Sequence, residues 1–415
     1  MEVRQEDYFN LFDNEMFYKF LIERYPWATD YAYYYIWVCY APRRIVPIIL
    51  ESILQEDYSH YSPEKAYAYL QKCEKNNLNI CVIIPTCNRA STIAYLLTVA
   101  APLYRRFGVD VIIYDGSTDE KTLNVVNKFR GNGYYNVLYK PYTGKFDGFS
   151  LDHKVIKAYE EFADQYEYIW ICRDGLIPII DEIYEKIRYY SKQKVGCIIV
   201  DTKSRNGNLE IEKEYSKKDD CDQFLEEQAC RLQTLGMLIL SSEFAKKLIK
   251  EIVLDDNTYS LWQMAAPFHY FALHPYRVVF FTRNVFAPNI KANAKHFWSD
   301  AEKALEQWSY RWNYVIDHMP DSYGNSKQKC KMIYTIDFHP FKVKNILEMR
   351  GWGGLNFMLV KRYRDSLKKT TRTPQWCFTF ISIMPKFIAR FCYQLIMKYP
   401  KMAHRFHIAI LGNED

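Results

Sequence analysis

A mostly parallel α/β sheet with helices on both faces is what this 415-residue sequence predicts. Three observations point there. From Asn79 onward, short apolar runs alternate with helix-length amphipathic stretches. The first two apolar runs end in polar clusters, Pro85-Thr86-Cys87-Asn88-Arg89 and Asp115-Gly116-Ser117-Thr118-Asp119. Such clusters suit the carboxyl ends of parallel strands, where open α/β sheets bind ligands. The hydrophobic share of 49% is ample for a core of that size.

Before Lys75 the sequence reads as helical: LFDNEMFYKFLIERY, RRIVPIILESILQEDY, and a helix opened by Ser62-Pro63-Glu64 with serine as cap and proline in the first turn. Residues 1–78 are expected to form an N-terminal helical extension. The alternation then runs VIIP, a helix over 91–106, DVIIY, a helix over 119–129, NVLYK, a helix over 152–164, YIWIC, a helix over 179–191, and GCIIVD. Further strands are expected at 235–240 and 277–282, with helices from Ser242 and over 259–273 between them. The α/β domain is expected to occupy 79–300. No internal repeat or low-complexity linker interrupts it.

Residues 301–415 read as a helix-rich, basic C-terminal region. Residues 341–415 hold fourteen Lys and Arg against Glu348, Asp365, Glu414 and Asp415, a net +10 in a chain whose total is +6. The segment 375–397, QWCFTFISIMPKFIARFCYQLIM, is long enough for a bilayer span of about 20 residues. Pro385, Lys386 and Arg390 interrupt it, and each central charge would cost roughly 2.5–3.5 kcal/mol to insert. Aromatics mixed with Lys and Arg fit a helix lying in the headgroup region of an anionic membrane surface; a core-packing helix with a solvated basic face is the alternative.

The eleven cysteines show neither CxxC pairs nor metal-site spacing, which excludes a zinc module and a disulfide framework and suits reduced thiols. The N-terminus, MEVRQEDYFNLF, lacks the basic and apolar stretches of a signal peptide, so a cytoplasmic protein is expected, peripheral at the inner face of the membrane. The aromatic stretch YPWATDYAYYYIWVCY reads as buried core, with a homo-oligomer interface as the other use. Aromatics interleaved with Ile, Leu and Met in the basic tail fit lipid better than nucleic acid.

The two strand-end motifs together resemble the opening of the family 2 glycosyltransferases of GT-A fold, and the resemblance extends over residues 79–300. It implies a nucleotide-sugar donor, a UDP-sugar in the first instance, held by Pro85, Thr86, Asn88, Arg89, Asp115, Ser117 and Arg173. In that family the aspartate of the second strand reads the uracil ring N–H, the role implied for Asp115. On residues alone, Asp115 also reads as a helix cap, since DGSTD precedes Glu120. Leu151-Asp152-His153-Lys154 stands where the family has an Ala-Arg-Asn helix start, and Cys172-Arg173-Asp174-Gly175 stands where it has two or three carboxylates. The resemblance implies a divalent cation, Mn²⁺ or Mg²⁺, on Asp174 and His296. A metal-free alternative lets Arg173, Lys145 or Lys154 neutralise the leaving diphosphate.

QTLGMLIL resembles the acceptor-side strand of that family, with Gly236 admitting the sugar and Trp262 following as a second acceptor-binding residue. Asp256, with Asp255 as second choice, is implied as the catalytic base; a plain helix cap is the other reading of both. The stretch Gln307 to Trp312 is one residue too long for the signature of processive synthases, so Gln307, Arg311 and Trp312 are read as ordinary helix residues. The expected activity is an inverting transfer from nucleotide-sugar to a hydroxyl of a saccharide acceptor, lipid-linked, in surface polysaccharide assembly. The alternative is a catalytically degenerate domain that binds nucleotide or glycan or scaffolds a partner. A nucleotidyltransferase is disfavoured because Pro85 to Arg89 contains no glycine for a phosphate loop.

Overall fold

The computed structural model describes residues 78–144, 150–202, 209–252, 262–283, 285–289, 291–292, 300–332 and 340–399. All but the last residue of the expected N-terminal extension, with its aromatic stretch, lies outside them. So do Lys145, Asp255, Asp256 and His296.

The chain alternates as expected: β1 (Ile80–Thr86), α1 (Ala90–Arg106), β2 (Asp110–Asp115), α2 (Lys121–Gly131), β3 (Val137–Pro141), α3 (Ser150–Phe162), β4 (Tyr168–Ile171), β5 (Leu176–Pro178), α4 (Ile180–Lys192), β6 (Cys197–Thr202), β7 (Glu212–Tyr215), α5 (Cys221–Leu232), β8 (Leu238–Ser241), α6 (Ser242–Glu251), α7 (Trp262–Leu273), β9 (Val278–Arg283) and β10 (Phe286–Pro288). Eight strands form one sheet in the order β3-β2-β1-β4-β8-β6-β9-β7. Strands β1 to β4 run parallel, as do β6 and β9. β8 lies antiparallel between β4 and β6, and β7 closes one edge antiparallel to β9. The fold class is thus α/β with a mostly parallel central sheet and helices on both faces.

Burial on both faces explains the continuous apolar runs. Along β1, Ile80, Val82 and Ile84 enter the core shared with Leu96 of α1 and Ile183 of α4, while Cys81 and Ile83 enter the core shared with Tyr159, Phe224 and Phe268. A period of two thus feeds two different layers. Three features were not expected from the sequence: helix α5, the reversed direction of β8 and β7, and the small antiparallel pair β5–β10. Strand direction depends on how the chain returns to the sheet, and apolar patterning carries no record of it. α5 escapes notice because its buried Phe224, Leu225, Gln228, Ala229 and Leu232 are interleaved with acids and a buried amide.

The C-terminal residues contribute α8 (Ala301–Leu305), a π-type stretch (Glu306–Arg311), α9 (Trp312–Asp317), α10 (Ser326–Lys331), α11 (Val343–Gly351), α12 (Phe357–Arg362), α13 (Arg364–Thr370), α14 (Gln375–Ile383) and α15 (Lys386–Lys398). Trp312, Val315 and Ile316 join the α3–α5–α7 core, and Tyr323 donates its hydroxyl to the Phe268 carbonyl at 2.7 Å. Arg311 pairs with Glu306. Helices α11 to α15 build a core of their own around Phe341, Ile346, Met349 and Phe378. The apolar segment 375–397 is broken at Pro385, which caps α15 where no backbone donor is needed. Among the described residues no helix is long and apolar enough to cross a membrane.

One buried group gives a pH expectation. His269 in α7 has a buried Nε2 with no hydrogen-bond partner, and burial, followed by Lys327 and His318, pulls its pKa down to about 4. The unfolded chain takes up this proton near pH 6.5 while the folded one resists it until about pH 4. Stability is therefore expected to fall as pH drops through that window, by about 3 kcal/mol, and to level off below it. Urea melts of His269→Gln across that window are expected to show a flatter acid limb; an unchanged limb would refute the assignment.

Candidate active site

The carboxyl ends of β1, β2 and β4 lie side by side, with Thr86 paired in register to Asp115. Just past β1 the chain turns at Asn88, whose φ of 55° is left-handed, a conformation asparagine tolerates better than most residues. That turn sends the Asn88 N–H to Ser117 Oγ at 2.7 Å and aims Arg89 across the strand ends. The Gly116 N–H returns to the Thr86 carbonyl at 2.9 Å. Two strand-end loops that share no sequence are thereby stitched together.

Asp115 is 1% exposed and organises the second loop. Its Oδ1 accepts from the Ser117 N–H at 3.0 Å and the Ser117 hydroxyl at 2.5 Å, and its Oδ2 accepts from Tyr139 at 3.2 Å. Burial and then Asp115 push the Tyr139 hydroxyl up to about 12, so it stays a donor. A carboxylate offers about four acceptor sites, which leaves one on Oδ2. The capping alternative does not hold: α2 starts at Lys121, and Asp119 accepts the Lys121 N–H at 3.2 Å.

Asp174 lies one strand over, 5% exposed, just past the end of β4. Arg89 donates to its Oδ1 at 2.6 Å and Thr86 Oγ1 to its Oδ2 at 3.1 Å. Burial pushes the Asp174 carboxyl up, and Arg89, Thr86, Arg173 and Lys154 pull it back. Asn289 fixes the loop beneath by donating to the Asp174 and Thr92 carbonyls, both at 2.9 Å. Lys154, from the first turn of α3, is 5% exposed and donates to the Thr86 carbonyl at 2.7 Å. Burial lowers its pKa, against the pull of Cys87, Asp115 and Asp174. The Lys154 ammonium is thus bonded to the Thr86 carbonyl and felt electrostatically by both carboxylates.

Asp174 is held by protein donors and does not sit in a ready-made cluster of metal ligands among the described residues. Both carboxylate oxygens are engaged, one by a guanidinium, and no group of three or more His, Cys, Asp or Glu side chains poised for a metal occurs among the described residues. With Arg89 on its Oδ1, the single carboxylate at this position is balanced by one built-in cation. The expected partner His296 lies outside the described residues.

The acceptor-side expectations meet a different geometry. Gly236 has φ of +118°, and a Cβ there would sit 3.1 Å from the Phe286 ring, so the glycine serves a turn closed over by an aromatic side chain. Its carbonyl accepts from Trp170 Nε1 at 2.6 Å. Trp262 is 1% exposed and packs against Tyr159, so it is a core side chain in this structure. Its N–H donates to Asp152 Oδ1 at 3.2 Å. Burial holds the Asp152 carboxyl well above the usual range, with the Trp262 N–H and Arg311 opposing. The Asp152 that replaces the family's helix start is therefore a clasp between α3 and α7.

No family model and no curated protein matches the sequence. Solved structures do resemble it. A mannosyltransferase from Pyrobaculum calidifontis, in complex with GDP-Man and Mn²⁺, is 14% identical over 64% of this chain and 76% of its own, with a TM-score of 0.40. S. aureus TarS is 12% identical over 73% of this chain and 52% of its own, with a TM-score of 0.41, so this chain spans about half of TarS. Glucosyl-3-phosphoglycerate synthase from Mycobacterium tuberculosis, in complex with Mn²⁺ and UDP, is 15% identical over 55% of this chain and 76% of its own, with a TM-score of 0.31. These neighbours are glycosyltransferases. The scores are low, and they decide nothing about donor, acceptor or metal for this chain.

Of the residues expected in the site, Pro85, Thr86, Asn88, Arg89, Asp115, Ser117, Arg173 and Asp174 converge on one sheet edge. Sequence reasoning missed Tyr139, the partner of Asp115, and it ranked Lys154 only among the alternatives. It also missed Gln263, 6% exposed beside Trp262, whose amide nitrogen and oxygen are both buried without a partner. Such a group costs stability until something bonds to it. A glutamine following a tryptophan gives no such signal in sequence.

Proposed function

We propose that this chain is a GT-A type, family 2-like inverting glycosyltransferase that moves a sugar from a UDP-sugar to a saccharide hydroxyl. The observation that carries the reading is the convergence of Asp115, Asp174, Arg89 and Lys154 around Thr86, at the sheet edge where α/β folds take nucleotides. Asp115 is placed to accept the uracil N–H through the site left on Oδ2. Lys154 and Arg89 supply positive charge for the departing diphosphate, in a low-dielectric setting where such charge acts strongly. Arg89 is the more exposed of the two, with 42% of its side chain open to solvent. Asp256, with Asp255 as second choice, acts as base on the acceptor hydroxyl. The acceptor is a lipid-linked saccharide, and the product belongs to surface polysaccharide.

Thermal melts with nucleoside diphosphates test the donor class: UDP alone is expected to raise Tm, because a ligand that binds only the folded state stabilises it. Equal shifts from GDP and ADP would refute Asp115 as a base reader. The UDP shift is expected to survive EDTA in the wild type, whereas in Arg89→Ala it is expected to become Mn²⁺-dependent, as Asp174 is released to bind a cation. Loss of the wild-type shift in EDTA would restore the metal to the site.

A second reading has one observation in its favour. The closed Arg89–Asp174 pair also suits a degenerate domain that binds a nucleotide without turning it over. UDP-sugar turnover that is lost in Asp256→Asn favours the enzyme, and binding without turnover favours the scaffold.

A further inference from the structure

Helices α14 and α15 bury one face and expose the other. Cys377, Phe378, Ile381 and Ala389 pack inward on α11 and α12. Outward stand Trp376 (60% exposed), Phe380 (57%), Ile383 (62%), Phe387 (72%) and Phe391 (60%). The first three recur at i, i+4 and i+7 and the last two at i and i+4, so each helix presents one apolar stripe. Exposed Met358 and Phe357 of α12, which packs against α14, extend this surface. A contiguous set of large apolar side chains of this kind marks an interaction site.

Its charge identifies the occupant. Between residues 354 and 399 there are nine Lys and Arg and a single acid, Asp365. Lys361 of α12 and Lys386 of α15 are exposed on these helices, and Arg364 and Lys369 on the adjoining α13. Arg390 instead donates to the Gly351 carbonyl and lies over the Trp352 ring, which locks α15 to α11. A second copy of this chain would bring its own excess of positive charge against an already basic surface, and an ordinary protein surface would not need so many aromatics. A bilayer interface with anionic headgroups satisfies both features, since aromatic side chains enter the headgroup boundary while lysines and arginines meet lipid phosphates. Helix length agrees: at nine residues α14 is about 13 Å long, far short of a bilayer core, so it lies on the surface.

We propose that the exposed face of α14, α15 and α12 docks the protein onto an anionic membrane surface. The proposal is independent of the nucleotide site, though it would bring that site to a lipid-linked acceptor. Trp376, Phe380, Phe387 and Phe391 insert, and the basic residues around them set the preference for anionic lipid.

Co-sedimentation of the full chain with vesicles tests it. Binding is expected to vesicles of phosphatidylcholine mixed with phosphatidylglycerol, to be weak with phosphatidylcholine alone, and to fall with added salt. Phe387→Ser/Phe391→Ser, both at exposed positions, is expected to lower partitioning roughly tenfold or more while leaving Tm and the UDP shift unchanged. Absence of binding to the anionic vesicles would overturn the proposal. Binding that the double substitution does not weaken would overturn it too. So would a dimer in lipid-free solution that the same substitution dissociates, which would make the face a contact between copies. A missing UDP shift with intact vesicle binding would count against the transferase reading alone.

Discussion

Asp115→Asn is expected to leave the fold standing and to weaken UDP binding by roughly 10- to 150-fold, the worth of a charged hydrogen bond. The amide can keep its oxygen toward the Ser117 N–H and hydroxyl and turn its NH₂ toward the Tyr139 oxygen, which can accept as well as donate. Internal bonding is thereby preserved at a position that is 1% exposed. What is lost is the remaining acceptor site, because the NH₂ cannot receive the uracil N–H. Isothermal titration with UDP, paired with a thermal melt, separates the two effects. Asp115→Ala is expected instead to leave three donors unsatisfied and to lower Tm, since each buried orphan costs roughly 1–3 kcal/mol. Unchanged UDP affinity in a folded Asp115→Asn protein would remove the base-reading role.

Lys154→Met is expected to lower kcat by roughly 10²- to 10³-fold, the usual effect of deleting one preorganised charge-stabilising group. Methionine approximates the shape of the buried stem, so the change is largely one of charge. The Thr86 carbonyl loses the donor that holds it at 2.7 Å, and Asp115 and Asp174 lose a nearby positive charge. Lys154→Arg is expected to recover part of the rate, with the guanidinium too broad for so enclosed a position. A kcat/KM for Lys154→Met within twofold of wild type would show that the leaving group is neutralised elsewhere, with Arg89 and Arg173 the remaining candidates.

The sequence carried the strand and helix rhythm because both faces of the sheet are covered, so the strands read as unbroken apolar runs such as ICVIIPT. It also carried the polar cluster at the carboxyl ends of the strands, since polar residues directly after buried strands have nowhere else to project. Pro385 announced the break between α14 and α15 in the same direct way. Other features were not legible. Nothing in the sequence shows that Asp152 holds the Trp262 backbone N–H, 110 residues away. Gly236 and Trp262 looked like acceptor contacts, yet the first is shut over by Phe286 and the second lies in the core.

By itself, then, the sequence determined the α/β class, the edge where the chemistry gathers and the basic, aromatic character of the C-terminal helices, because local patterning and composition suffice for each. Only the tertiary structure decided that Asp174 is paired with Arg89, that Lys154 sits between two carboxylates, that β8 runs backwards, and that five large apolar side chains of α14 and α15 remain uncovered. Each of these depends on which distant segments meet: Arg89 and Asp174 are 85 residues apart in the chain. Ion pairing, strand direction and exposure are properties of such meetings, and one-dimensional patterning does not contain them.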